Sequence, residues 1–241
     1  MTEREKELGT LLSKYSEDEF DYIDTKDITK AADIDYGNSG VYFEATIIYL
    51  EIKNLPYILK QLGRRKAATV YTMLHAVASD IAKRSDAFIN CYSPNALLIV
   101  YPGKEEASPK AVKDAMRIAY AMNDAFKHQF AEVHSAEIAM GLDHGHIMGT
   151  KNLSDNGNDH ISWFGTCINK AMHICKESAR PFYVGISGTV YRSLDDSLHY
   201  TERRILGIKK KVEIWTKVTY QYENVKKHLY QTNHKISFDE E

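Results

Sequence analysis

The stretch Ala45–Leu59, "ATIIYLEIKNLPYIL", sets one carboxylate, Glu51, at the end of a hydrophobic run, where a strand should give way to a helix. A carboxylate there can ligate a hard cation through oxygen. It is equally a solvated strand end, and the stretch alone leaves both readings open. Asp143, His144 and His146 form a second group with ligand chemistry. Successive side chains on an extended chain alternate between faces. His144 and His146 therefore share a face, Asp143 points to the other, and two ligands do not make a site. Cys167, Cys175 and His173 are a third set. No paired-cysteine motif accompanies them, so packing thiols are the expectation.

These groups need elements to hold them. The chain has 241 residues, 44% hydrophobic and 27% charged, which suits a globular domain with a real core. A net charge of -2 gives no global case for nucleic-acid binding. Three scattered cysteines make no disulfide framework and read as reduced thiols. No apolar run approaches the roughly 20 residues of a membrane span. The first residues, "MTEREKELGT", lack the apolar core of a signal peptide, so a cytoplasmic location is expected.

Residues 1–40 read as a polar, acidic arm with a short helix, 41–219 as the domain, and 220–241 as a surface helix and tail. Val41 to Ile52 has strand composition. Tyr57 to Arg84 carries Leu62, Val70, Leu74, Val77 and Ile81 at helical spacing, with Gly63 dividing it. "AFINCYSPNALLIVYP" predicts a hairpin turning at "SPN". Pro109 opens an amphipathic helix to about Phe130. "SAEIAMGLDHGHIMGT" reads as a second hairpin punctuated by Gly141, Gly145 and Gly149. A helix follows from about Gly165, then a strand at "FYVGIS", a helical turn at "SGTVYRSL", and two closing strands, "LHYTERRILG" and "KVEIWTKVTY". The order is β-α-β-β-α-β-β-α-β-β-β. It predicts an α+β fold: a mixed, mainly antiparallel sheet with helices packed on one face. Neither GxGxxG nor GxxxxGK[ST] occurs.

The succession "YLEI", "CYSPNALLIVY", "AMGLDHGHIMG" and "WFGTCINKAMHICKESA" resembles the class III nucleotidyl cyclase homology domain over about residues 41–219. Within that family, "GVYFEATIIYLEI" and "ISWFGTCINKA" are most similar to the bacterial Pycsar-type pyrimidine cyclases of phage defence. The resemblance implies a ferredoxin-like (βαββαβ) core and a dimer, of this chain or with a related one, with sites at its interface. It implies a nucleoside triphosphate substrate and Mg²⁺ or Mn²⁺ as cofactor, held by two Asp carboxylates. An Asn and an Arg four residues apart on a helix would serve ribose and transition-state charge.

The chain departs from that pattern at most of these positions. Glu51 falls on the first metal Asp, and its extra methylene moves the carboxylate by about 1 Å, a misplacement that can cost roughly 10²-fold in rate. Asn95 falls on the second and offers one neutral oxygen, although "SPN" is also a good turn by itself. Cys91 and Ser162 stand at the base-reading positions, which disfavours purine recognition through a Lys–Asp pair. Asn169 matches the helix Asn. His173 stands at the Arg position on the same helix face and lacks the guanidinium fork. Lys209, Lys210 and Lys211 fall on a basic turn that in the family reaches the triphosphate, and they read equally as a solvated run. The expectation is a degenerate, dimeric cyclase relative with weak or no activity. Two alternatives stay open: an active cyclase, pyrimidine favoured, and a ferredoxin-like interaction module that binds no nucleotide.

Overall fold

From Ser39 to Ile52 the chain is rich in β-branched and aromatic residues and forms one unbroken strand at the centre of a sheet. The computed structural model describes residues 2–17, 21–24, 39–93, 95–125, 136–152, 160–178, 181–205 and 208–238. In chain order the first elements are helix α1 (Glu3–Glu17), strand β1 (Asp21–Asp24), β2 (Ser39–Ile52), α2 (Leu55–Arg84), β3 (Phe88–Ser93) and β4 (Ala96–Pro102). Next come α3 (Ser108–Tyr120), β5 (Ile138–Asn152), β6 (His160–Phe164), α4 (Thr166–Glu177), β7 (Val184–Ser187), α5 (Gly188–Arg192) and α6 (Asp196–His199). Strands β8 (Tyr200–Ile205), β9 (Ile208–Glu213), β10 (Thr216–Tyr222) and β11 (Val225–Thr232) close the chain.

The main sheet runs β10-β11-β7-β5-β2-β4-β3, with β1 beside the start of β2 and β6 beside the end of β5. Its segment β5-β2-β4-β3 is antiparallel at every step. With α2 and α3 as crossovers this is the βαββαβ ferredoxin-like core. Strands β8 and β9 form a separate ribbon.

Alternation along β2 separates two cores. Ile48, Leu50 and Ile52 pack with Val70 and Leu74 of α2 and Val112 and Met116 of α3. Phe43, Ala45, Ile47 and Tyr49 point the other way and meet Cys167, Ile168 and Ala171 of α4. Helices therefore cover both faces, not the expected one, because both sets of β2 side chains are apolar and each must be buried. Gly63 does break α2, at φ 78°.

Three expectations are corrected. "SAEIAMGLDHGHIMGT" is not a hairpin: residues 138–152 are one strand. Its glycines admit neighbours instead of turning the chain. A Cβ at Gly141 would lie 2.0 Å from the Ala171 carbonyl oxygen of α4, and one at Gly149 would lie 2.5 Å from the Trp163 ring. The tail is not a surface helix but β10 turning tightly into β11. Glu223 and Asn224 both take positive φ, 50° and 61°, as a two-residue hairpin turn requires. Leu229 and Gln231 are buried on the alternation of that strand. The two closing strands are three, β8, β9 and β10, because the chain leaves β9 at Ile214–Trp215. The Trp215 indole is buried there and donates to the Leu198 carbonyl oxygen at 2.7 Å. The helix expected to reach Phe130 is helical to Tyr120 and continues as a wider turn to Ala125; residues 126–130 lie outside the described residues. Among the described residues no helix is long and apolar enough to cross a membrane.

Candidate functional site

Glu51 sits on β2 one residue before its end, on the α4 side of the sheet. The β3–β4 hairpin brings Asn95 against it. The Ile52 N–H donates to the Asn95 carbonyl oxygen at 2.9 Å, which pins the hairpin tip to the strand end. The Asn95 amide nitrogen then donates to Glu51 Oε1 at 3.1 Å, while Ser93 Oγ donates to Asn95 Oδ1 at 3.0 Å. An ionised carboxylate only accepts, so the amide must turn its NH₂ toward Glu51 and its oxygen away. The two positions expected to share metals are thus together, but they are bonded to each other.

A third group completes the cluster. Lys53 Nζ lies 3.8 Å from Glu51 Oε2 and 3.4 Å from the carbonyl oxygens of Cys175 and Lys176, in the last turn of α4. Sequence reasoning passed over Lys53. The available signal was its spacing of two from Glu51, which puts both side chains on one side of an extended chain. Two divalent ions do not fit this donor set. It supplies one carboxylate, an amide facing it with its donor end, and a resident ammonium. Among the described residues no cluster of three or more His, Cys, Asp or Glu stands ready for a metal.

Helix α4 buries Cys167, Ile168, Ala171, Ile174 and Cys175 and leaves Asn169 exposed. Asn169 is six residues from Cys175, about 9 Å along the axis, and on another face. One chain therefore does not bring Asn169 to Glu51. His173 shares the Asn169 side of the helix, but its ring packs edge-on against Tyr222 of β10, centroids 5.2 Å apart at 88°. Its Nδ1 is buried without a hydrogen-bond partner among the described residues. The ring so placed packs against β10.

Lys170, the neighbour of Asn169, is engaged with Asp143, at 3.0 Å. Asp143 is 3% exposed, the most buried carboxylate on the α4 face. Burial, and then the Asp143 charge, push the nearby Tyr220 hydroxyl up to about 12. His144 lies on the other face, 3.0 Å from Thr46 Oγ1. His146 stacks on Tyr42 and reaches Glu44 at 3.7 Å. Asp143 thus faces α4, while His144 and His146 lie on the opposite face of β5.

Burial raises the Cys167 and Cys175 thiols to about 12, in keeping with packing roles. The strands carrying Cys91 and Ser162 meet, since Asn90 Nδ2 donates to the Ile161 carbonyl oxygen at 2.9 Å; the Cys91 side chain lies outside the described residues. Lys209, Lys210 and Lys211 are not on a turn. They lie in strand β9, held in register by the antiparallel pairing with β8. Lys209 and Lys211 form exposed ion pairs with Glu202 and Asp196, each at 3.0 Å, and Lys210 stands opposite Arg203.

No family model matches the chain, and no curated protein does. Solved structures do. A bacterial light-regulated adenylyl cyclase superposes with a TM-score of 0.64 at 11% identity, over 83% of this chain and 55% of that one. The adenylyl cyclase CyaB from P. aeruginosa gives 0.63 at 14% identity, over 79% and 94%. A class III adenylyl cyclase-like ATP-binding protein from Pseudomonas aeruginosa gives 0.67 at 13%, over 78% and 42%. The chain thus spans about half the length of the light-regulated enzyme and nearly all of CyaB. The sheet order, the crossover helices and these superpositions agree: the chain has the class III nucleotidyl cyclase fold.

Proposed function

We propose that the chain is a degenerate member of the class III nucleotidyl cyclases, dimeric, that binds a nucleotide in a regulatory role and performs little or no cyclisation. The observation that carries this reading is the Asn95–Glu51 hydrogen bond of 3.1 Å. It puts an amide donor where the family has its second metal carboxylate, so the anionic anchor of a two-metal clamp is halved and then satisfied internally. The packing of His173 on Tyr222 supports it from the other half of the site. The exposure of Asn169 on α4, away from Glu51 of its own chain, is consistent with a site shared between two chains and supports the dimer.

The second reading, an active cyclase preferring a pyrimidine triphosphate, rests on the Asn90–Ile161 bond that joins the strands of Cys91 and Ser162. The likeness of the first strand to the Pycsar-type enzymes would then place it in phage defence. One experiment separates the readings. Purified protein is incubated with each ribonucleoside triphosphate and Mg²⁺ or Mn²⁺, with cyclic product measured by mass spectrometry and melting temperature measured in parallel. A melting shift without cyclic product is expected, since a ligand bound to the native state stabilises by mass action. Cyclic product abolished by Glu51→Ala would establish the active enzyme. No shift with any nucleotide would leave a protein-interaction module.

A further inference from the structure

We infer that Lys53 is a tethered cation that takes the place of a divalent metal ion beside Glu51, and that this end of the site is therefore built to work without Mg²⁺ or Mn²⁺. The assignment rests on the reading of Glu51 given above, but its geometry stands by itself. The Lys53 ammonium has three oxygen neighbours: Glu51 Oε2 at 3.8 Å and the Cys175 and Lys176 carbonyl oxygens at 3.4 Å. The two helix carbonyls accept hydrogen bonds from the ammonium, and Glu51 adds an ion pair rather than a third hydrogen bond. Two of the acceptors are orphan carbonyls of a helix C-terminus, where the macrodipole favours positive charge. The Lys53 side chain is three-quarters buried, at 25% exposure, and the Glu51 side chain more so, at 20%.

The remaining oxygen of Glu51 is also committed. Oε1 accepts from Asn95, whose amide presents the positive end of its dipole. The formal charge of the cluster is -1 from Glu51 plus +1 from Lys53 with a neutral Asn95, which sums to zero. A dication entering here would displace the ammonium from the carboxylate and then sit beside it in a partly desolvated place, where like charges repel strongly. An arriving metal ion would also have to break the Asn95 contact to gain a second oxygen. A nucleotide held at this site is thus held without a divalent bridge.

The test uses the whole chain and Mn²⁺ as probe. Free Mn²⁺ is titrated by electron paramagnetic resonance against the wild type, Lys53→Arg, Lys53→Met, Glu51→Gln and Lys53→Met/Glu51→Gln, with circular dichroism confirming the fold of each. Wild type and Lys53→Arg are expected to show only weak, unsaturating binding. Lys53→Met is expected to tighten binding by about tenfold or more, because an opposing unit charge is gone. The double variant is expected to lose that gain. Saturable wild-type binding that Glu51→Gln removes would overturn the inference. So would a folded Lys53→Met that binds no better than wild type. In a second arm, the melting shift produced by each ribonucleoside triphosphate is compared in Mg²⁺ and in EDTA. Equal shifts are expected, and a shift that needs Mg²⁺ would overturn the inference. No shift in either buffer would refute nucleotide binding instead, while the manganese titration still decides the role of Lys53.

Discussion

Gly141→Ala is the sharpest test of how α4 is held on the sheet. The added Cβ would lie 2.0 Å from the Ala171 carbonyl oxygen and 2.3 Å from the Cys175 backbone nitrogen. Carbon–oxygen contacts close no nearer than about 3.3 Å, so the helix must retreat by about 1.3 Å along that line. Both obstructing atoms are backbone, and no rotamer change relieves them. A gap of that size forfeits about half of the dispersion energy of the contacts it opens, and the opened face is the one that buries Cys167, Ile168, Ala171 and Cys175. Overpacking a core costs about 1–3 kcal/mol, and this case belongs at or above the upper end. Gly145→Ala is the control on the same strand. Its Cβ would meet only the Cys167 side chain, at 3.3 Å, which can yield by a few tenths of an ångström. Both variants share the gain of about 0.4–1 kcal/mol from a stiffer unfolded chain. Urea unfolding at a common m-value should therefore put Gly145→Ala within about 1 kcal/mol of wild type. Gly141→Ala should lie about 2–4 kcal/mol lower. If the two variants agree within experimental error, the close approach of α4 does not explain the glycines of β5.

Three further outcomes are expected. Lys170→Met leaves the buried Asp143 without its counter-ion. Because Lys170 is itself 23% exposed, the cost should fall below the 3–5 kcal/mol of a fully buried pair, at about 2–3 kcal/mol; Asp143→Asn should restore most of it, and simple additivity in the double-mutant cycle would contradict the pairing. Burial raises the carboxyl of Asp114 against the opposing hydrogen bonds from Ser85, Tyr101 and Arg117. The folded chain then binds that proton more tightly than the unfolded chain, so the contribution is full below the ordinary carboxylate range and is lost as pH rises through the raised folded value. Asp114→Asn should flatten stability against pH across that window, and parallel wild-type and variant curves would reject the account. Cys167 and Cys175 are buried, with thiols near 12, so iodoacetamide at pH 8 should spare both in the native protein and modify both in urea, as read by peptide mass mapping.

What could be read from the sequence was whatever local pattern alone decides. The break at Gly63, the β3–β4 hairpin and the start of α4 at Gly165 each follow from residues within a few positions of the feature. The glycines of β5 misled because their cause is not local. They look like turn punctuation, yet Gly141 is small because the α4 backbone, thirty and more residues later, lies against it. The tail misled because "VKKHLYQT" carries few apolar residues, and its period of two is visible only once Leu229 and Gln231 are known to face inward. At the site, the order of motifs paired Glu51 with Asn95, and the fold brings the two side chains within hydrogen-bond distance. The orientation of His173 was not legible, since Tyr222 fell in the segment 220–241 read as a surface helix and tail, where no strand was expected.

If the site is degenerate, as proposed, the alternation that builds β2 lets it change while the fold persists. Ile48, Leu50 and Ile52 face the α2–α3 core and fix the strand's place. Glu51 points the other way, at the rim, and contributes little to that core. Two carboxylates at this strand end and hairpin tip would repel by on the order of a few kcal/mol without metal ions, a cost the bound ions of a working enzyme offset. Replacing one carboxylate by Asn95 turns that repulsion into a hydrogen bond, and Lys53 neutralises what is left. On the proposed reading, each change would stabilise the metal-free chain and weaken its hold on metal. Drift away from catalysis would then also run toward greater stability, and Glu51, Lys53 and Asn95 form the neutral cluster that such drift would reach.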